Sequence, residues 1–179
     1  MRSISFRLIN IAELDTEIIV NSANTDLEAS GGVCGSIFHA AGYDQIQNAC
    51  AHIGHCDIGQ AVITRGYQLK AKYVVHAVGP IWQGGDYQEP ELLYSCYWES
   101  LRLAVQYDCH SIAIPLISTG IYGVPKDIAW VTALQACIDF LKENMDYDLD
   151  IVFAVLEEEV LEMGRETLQK MAPEYEKTE

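Results

Sequence analysis

Two stretches of this 179-residue chain carry residue types in an order suited to holding an anion. The first is Asn21-Ser22-Ala23-Asn24-Thr25-Asp26-Leu27-Glu28-Ala29-Ser30-Gly31-Gly32-Val33-Cys34-Gly35, which follows an apolar run ending at Val20. Its asparagines are neutral donor–acceptors, and its glycines let the backbone approach a ligand closely. The glycines lead into a helix-like segment, and free N–H groups at a helix start favour negative charge. The second is Ser118-Thr119-Gly120-Ile121-Tyr122-Gly123-Val124-Pro125, again a small-residue turn running into a helix. Either turn alone is ordinary loop chemistry. Two of them at neighbouring strand ends make a two-sided phosphate cradle. Neither contains GxGxxG or the lysine of GxxxxGK[ST], which argues against Rossmann dinucleotide binding and against nucleoside triphosphate hydrolysis.

Other reactive side chains read more plainly. Cys34 stands beside a helix start, where a thiol can be partly ionised, but no dedicated base accompanies it. Cys50, His52, His55 and Cys56 are of zinc-ligand type, yet their spacing matches no standard zinc site, so no metal is expected. They read as a surface turn with two histidines and inward-packed cysteines. His76 lies in an apolar strand and reads as a hydrogen-bonded core histidine; His39 reads as solvent-facing. Glu157-Glu158-Glu159 complements the dipole of a helix start. Trp82 to Tyr87 is a Gly-rich loop with aromatics, read as an exposed loop rather than a lid.

The elements that must position these residues follow from hydrophobic periodicity. Strands are expected at Ile4–Ile11, Glu17–Val20, Gln60–Thr64, Tyr73–Val78, Ser111–Ile117 and Asp150–Leu156. Pro115 marks an end or bulge in the fifth. Helices are expected over Gly35–Ala51, broken at Gly42, and from Pro90 with Leu93, Cys96, Tyr97, Leu101 and Ala104 inward. A further helix opens at Pro125 with Ile128, Val131, Leu134, Ile138 and Leu141 on one stripe, and the last spans Glu157–Met171. Buried strands alternating with helices mean a sheet covered on both faces, with ligands beyond the strands' carboxyl ends.

Composition sets the outer limits. One domain over 1–179 is expected, with ordinary globular composition. Lys plus Arg number 11 against 26 Asp plus Glu, a net charge of −15. Such a body repels nucleic-acid backbones and anionic membranes. No apolar run reaches the roughly 20 residues of a membrane helix, and the N-terminus lacks a signal-peptide core. A cytoplasmic location is expected, where six scattered cysteines serve as small buried hydrophobes.

Several motifs then fall in a recognisable order. They are Ile19-Val20-Asn21-Ser22-Ala23-Asn24, Gly31-Gly32-Val33 and Ala40-Ala41-Gly42, then Gly59-Gln60-Ala61-Val62-Ile63-Thr64 and Val75-His76-Ala77-Val78-Gly79-Pro80, then Ile117 to Pro125. From about Phe6 to Glu159 the chain resembles the macro domain family. The resemblance implies a three-layer α/β/α sandwich with a mixed, mostly parallel six-stranded sheet and a cleft for ADP-ribose. Members of the family bind ADP-ribose or ADP-ribosylated proteins; some hydrolyse ADP-ribosyl esters, process ADP-ribose 1″-phosphate or deacetylate O-acetyl-ADP-ribose. It also implies a role for each position. Gly31, Gly32 and Val33 would grip the diphosphate from one side, and Ser118, Thr119, Gly120, Ile121 and Tyr122 from the other. Asn24 would hydrogen-bond the distal ribose, with Tyr122 packed on it, Ala23 would also line the ligand, and Asn10, Ile11 and Leu156 would meet the adenine. No cofactor is implied beyond ADP-ribose itself as ligand or substrate, and a monomer is expected.

Four departures from the family pattern stand out. Asn10 replaces an Asp that accepts from the adenine amino group. Leu156 replaces an aromatic. Ala29 and Ser30 interrupt a longer glycine run. Cys34 and Phe38 stand where a hydrolytic branch has Asp and His, and a mostly neutral thiol substitutes poorly for a carboxylate. Three functions compete on these residues. A hydrolase or deacetylase would rely on Asn24 to position the ribose and on the ligand's own phosphates to hold a water. A non-catalytic ADP-ribose reader would need only the binding motifs. A thiol-dependent activity would use Cys34.

Overall fold

Residues 1–177 are described by the structure, a computed structural model. Six β-branched runs form the strands β1 (Arg2–Leu8), β2 (Ile18–Ala23), β3 (Ala61–Arg65), β4 (Tyr73–Val78), β5 (Ser111–Ile114) and β6 (Leu149–Val155). Their order across the sheet is β1-β6-β5-β2-β4-β3. Only β3 runs antiparallel to its neighbour; the other pairings are parallel. The helices are α1 (Gly32–Ala41), α2 (Tyr43–Ile53), α3 (Glu89–Gln106), α4 (Lys126–Glu143) and α5 (Glu158–Met171). This is the mixed, mostly parallel six-stranded α/β sandwich expected from the sequence.

Alternation along the strands splits the core in two. Ile4, Phe6, Ile18, Val20, Val75 and Ile112 face one way and pack on α3, α4 and α5. Ile19, Ala23, Val74, Val78 and Ala113 face the other way, toward α1 and α2. Phe6, Trp130 and Phe153 cluster with ring centroids 5.1–5.8 Å apart. Burying a side chain of this size contributes about 1.5–3 kcal/mol.

Several expected boundaries shift, each for a physical reason. The first strand starts at Arg2 and stops at Leu8, not Ile11. Asn10 turns the chain: its Oδ1 accepts the Ala12 N–H at 3.0 Å and starts a single 3-10 turn at Ile11–Glu13. The second strand continues through Asn21-Ser22-Ala23, which pair residue for residue with His76-Ala77-Val78. A polar residue stays in the sheet there because its cross-strand neighbour is polar too. The fifth strand ends at Ile114, before Pro115, which has no N–H to give the ladder. On α4 the inward stripe includes Trp130, while Val131, expected inside, is 51% exposed. Gly42 separates α1 from α2 as expected, with φ of +97°.

Candidate functional site

Because β1, β6, β5 and β2 are consecutive in the sheet, the segments that leave their carboxyl ends form one continuous rim. Ile9 holds the β1 end to β6 through its N–H to Val155 O at 3.0 Å. That brings Asn10 and Ile11 beside Leu156, which is 72% exposed. Ala23 ends β2, with Asn24 next in the chain. Gly31 is the N-cap of α1 and has no side-chain cap, so the first turn of the helix has no capping partner for its N–H groups. Ser118 to Tyr122 follow β5.

The two glycine turns leave space in front of bare main chain. A Cβ added at Gly31, Gly32 or Gly120 would meet nothing within 4 Å. The second turn is tightly folded: Gly123 N–H bonds Gly120 O at 3.0 Å, and Val124 N–H bonds Ser118 O at 2.9 Å. Ser118 carries φ of +66°, an unfavourable conformation for a non-glycine residue. It lies against Gly79, where a Cβ would come within 2.1 Å of its Oγ, so only glycine fits. Tyr97 pins the approach to this turn from within the core. Its hydroxyl accepts from the Ile117 N–H at 2.8 Å and donates to Pro115 O at 3.4 Å. Burial raises the Tyr97 pKa well above its usual value, so the hydroxyl stays a donor.

Beneath the first turn lies a polar network. Asn21 is buried, and its Nδ2 lies 3.0 Å from His76 Nδ1 and 3.6 Å from Cys34 Sγ. An amide nitrogen only donates, which assigns His76 Nδ1 as the acceptor and puts the ring proton on Nε2, 3.0 Å from Thr64 Oγ1. Thr64 passes its own proton to Arg65 O at 3.1 Å. Burial lowers the His76 pKa to about 4, so the ring is neutral. His76 is thus the bonded core histidine expected from the sequence.

Two expected site residues also make contacts within the chain. The Asn24 amide closes a turn on the Glu28 main chain, with Nδ2 to Glu28 O at 3.1 Å and Glu28 N–H to Oδ1 at 3.0 Å. Cys34 is 2% exposed, with Sγ 3.9 Å from Glu28 O. It is turned toward β2 and Asn21 rather than out to the rim. Phe38, at the other departing position, is buried edge-on against His76 at 6.2 Å. Asn10 keeps one amide face free, since only Oδ1 is taken by Ala12. Four features were not read from the sequence: the Asn10 cap, the Asn21–His76 pairing, the Asn24–Glu28 turn and the Tyr97 pin. The signal for the cap was present, because Asn two residues before a free N–H is a standard turn former.

Burial pushes the thiols of Cys50 and Cys56 up to about 11, as expected of inward-packed cysteines. His52 and His55 face solvent, and His55 Nε2 lies 2.7 Å from Asp57 Oδ1. Among the described residues no group of three His, Cys, Asp or Glu side chains is placed to hold a metal ion. Two clefts of about 690 and 300 Å³ flank β1, where Arg7 and Arg165 alternate with acidic residues. Neither includes a glycine-turn residue.

This fold and rim define a macro domain, and the macro domain family profile matches residues 20–133. A macro domain-containing protein of Listeria monocytogenes is 45% identical over 158 residues, covering 86% of this chain and 90% of that protein. The ADP-ribose glycohydrolase MACROD2 of Xenopus laevis is 42% identical over 171 residues, covering 95% of this chain and 41% of that one. The Oceanobacillus iheyensis macrodomain with ADP superposes with a TM-score of 0.87 at 36% identity, covering 94% of this chain and 91% of that one. The chain belongs to the macro domain family.

Proposed function

We propose that this protein binds ADP-ribose, free or attached to proteins, along the rim formed by β1, β6, β5 and β2, and hydrolyses ADP-ribosyl esters or O-acetyl-ADP-ribose there. The observation that carries the binding is the pair of turns at Gly31-Gly32 and Gly120 after the neighbouring strands β2 and β5, bare main chain with open space before it, the first at an uncapped helix start. A diphosphate suits that space, because outward N–H groups and the helix dipole replace the charged side chains that the acidic body lacks. Adenine then lies at Asn10, Ile11 and Leu156, where a free amide edge adjoins exposed aliphatic surface. The distal ribose lies at Ala23, Asn24 and Tyr122. No cofactor or metal takes part.

In this reading the hydrolysis is substrate-assisted. The phosphates and the Gly31–Val33 turn hold a water against the ester. The water adds to the carbonyl carbon and gives one proton, by way of a phosphate oxygen, to the ribose oxygen as the acyl–oxygen bond breaks; the ribose hydroxyl and the acid leave, and the acid releases its proton to solvent as it becomes carboxylate. The protein contributes orientation, which alone can supply a large part of a rate. In this reading the Cys34 thiol is not the base, which its contacts with Asn21 and Glu28 support.

A second reading, an ADP-ribose reader without turnover, is favoured by one observation: neither Cys34 nor Phe38 offers an acid or base to the rim. The two are separated by incubating the protein with a mono-ADP-ribosylated acceptor and with O-acetyl-ADP-ribose, following product release and, separately, ADP-ribose binding by calorimetry. Hydrolysis that falls away in Asn24→Ala and survives Cys34→Ser within a few-fold supports the enzyme. Binding with no product decides for the reader. No binding overturns both.

A further inference from the structure

The loop between β4 and α3 is folded around a carboxylate. Glu89, the first residue of α3, is 2% exposed and turns its side chain back over the preceding loop. Its Oε2 accepts the N–H groups of Gln83 at 2.8 Å and Gly85 at 2.9 Å, and its Oε1 accepts that of Tyr87 at 2.6 Å. Gly84, Gly85 and Gln88 all have positive φ, at 96°, 94° and 64°. Three N–H groups from alternate residues, turned inward around a negative charge, make a concavity like the backbone nests that usually receive an external anion. Here the anion is the chain's own. Burial works to raise the Glu89 pKa, but the backbone hydrogen bonds outweigh it and hold the group below its ordinary range.

At the head of this loop Trp82 reaches the ligand rim. Its main-chain N–H donates to the main-chain O of Tyr122 at 2.8 Å. Its indole lies on Gly85, where a Cβ would come within 2.9 Å of the ring, so the nest and the tryptophan fit only with glycine at 85. Tyr122 belongs to the turn closed by the Gly123–Gly120 and Val124–Ser118 bonds. A continuous chain of contacts therefore runs from the Glu89 carboxylate, through Gly85 and Trp82, to Tyr122.

We infer that Glu89 is a positioning residue of the ligand cleft, holding the Tyr122 wall in place through Trp82. It touches no ligand itself. The inference rests on the ADP-ribose reading above for its ligand, and its consequence is selective. Trp82 braces the Tyr122 end of the turn, where the distal ribose lies, while the adenosine end rests on β1 and β6. Loosening the brace should therefore weaken ADP-ribose far more than ADP.

The test measures Kd for ADP-ribose and for ADP, by calorimetry, in the native protein, in Glu89→Gln and in Gly85→Ala. Glutamine keeps the size but sets an NH₂ against an N–H donor. Alanine leaves the carboxylate intact and displaces the indole. Each variant is expected to weaken ADP-ribose about tenfold and ADP less than twofold. Equal losses for both ligands, or no loss in a folded variant, overturn the inference; a general loss of stability would not change the ratio. If Glu89→Gln does not fold, Gly85→Ala decides. If the native protein binds neither ligand, the ADP-ribose reading fails, and amide hydrogen exchange judges the brace alone. In Glu89→Gln, exchange should then quicken at Trp82, Gly123 and Val124 as well as at Gln83, Gly85 and Tyr87. Quickening confined to the last three overturns it.

Discussion

Gly31, Gly32 and Gly120 all front open space, but they are not equivalent as sites for substitution. Gly32 has φ of +62°, so any side chain there strains the backbone by about 1–2 kcal/mol as well as filling the cleft. Gly120 has no such constraint and is exposed. Gly120→Glu should therefore leave stability within about 0.5 kcal/mol, the usual span for surface changes. Its carboxylate would occupy the phosphate path, and affinity for ADP-ribose should fall at least about 100-fold, near 3 kcal/mol. Urea unfolding and calorimetry check the two halves. A folded variant that binds within a few-fold of the native protein removes the two-turn cradle.

At the scale of elements, β2 and β4 carry a buried neutral imidazole between them, which ties stability to pH. The folded pKa of His76 lies at about 4, lowered by burial from an ordinary 6.5. Between those values the unfolded chain binds a proton that the folded chain refuses. Stability from this group is complete above pH 6.5 and is lost as pH falls toward 4. The loss should be about 1–2 kcal/mol by pH 5.5. Glu89 adds to acid sensitivity only in a lower window: its folded pKa lies below the ordinary carboxylate value, so its contribution is lost as pH falls through that range. Urea unfolding at pH 7.5, 6.5 and 5.5 checks the histidine. The native protein should lose stability across this range, and His76→Gln should show a shallower slope. Equal slopes would place the proton elsewhere.

For the whole molecule the governing quantity is a net charge of −15, set against a ligand that is itself an anion. Attraction must come from local main-chain dipoles, while the long-range field opposes approach. The Debye length falls from about 30 Å at 0.01 M salt to about 8 Å at 0.15 M, so added salt hides distant carboxylates and leaves contacts within the cleft largely intact. Affinity for ADP-ribose should therefore hold or rise a few-fold between these concentrations. Calorimetry in sodium chloride checks it. A steep weakening with salt would mean that lysine or arginine side chains hold the phosphates.

Periodicity and punctuation in the sequence were enough to mark six strands, the helices between them and the strand ends where a ligand belongs, while the mixed, mostly parallel arrangement came with the family resemblance. Ile- and Val-rich runs alternating with helices point to a sheet covered on both faces, and Gly, Pro and Asn mark where the chain turns. Motif order carried the family and the two glycine turns, because bare backbone at a helix start is a local property. What the sequence could not supply were contacts between residues distant along the chain. Asn21 was read as loop because its reason for staying in a strand, His76, lies 55 residues away. Motif order puts Cys34 at the start of α1, where the hydrolytic branch has Asp, and only the packing of α1 on β2 turns its thiol inward. Pro115 announced an interruption, but the hydroxyl that secures the chain beyond it comes from Tyr97 on α3. Glu89 has no mark in the sequence that tells it from other acidic residues; only the folded loop before it closes around the carboxylate. Side-chain direction and hydrogen-bond pairing depend on which surfaces meet, and those meetings exist only once the sheet and its two helical layers have come together.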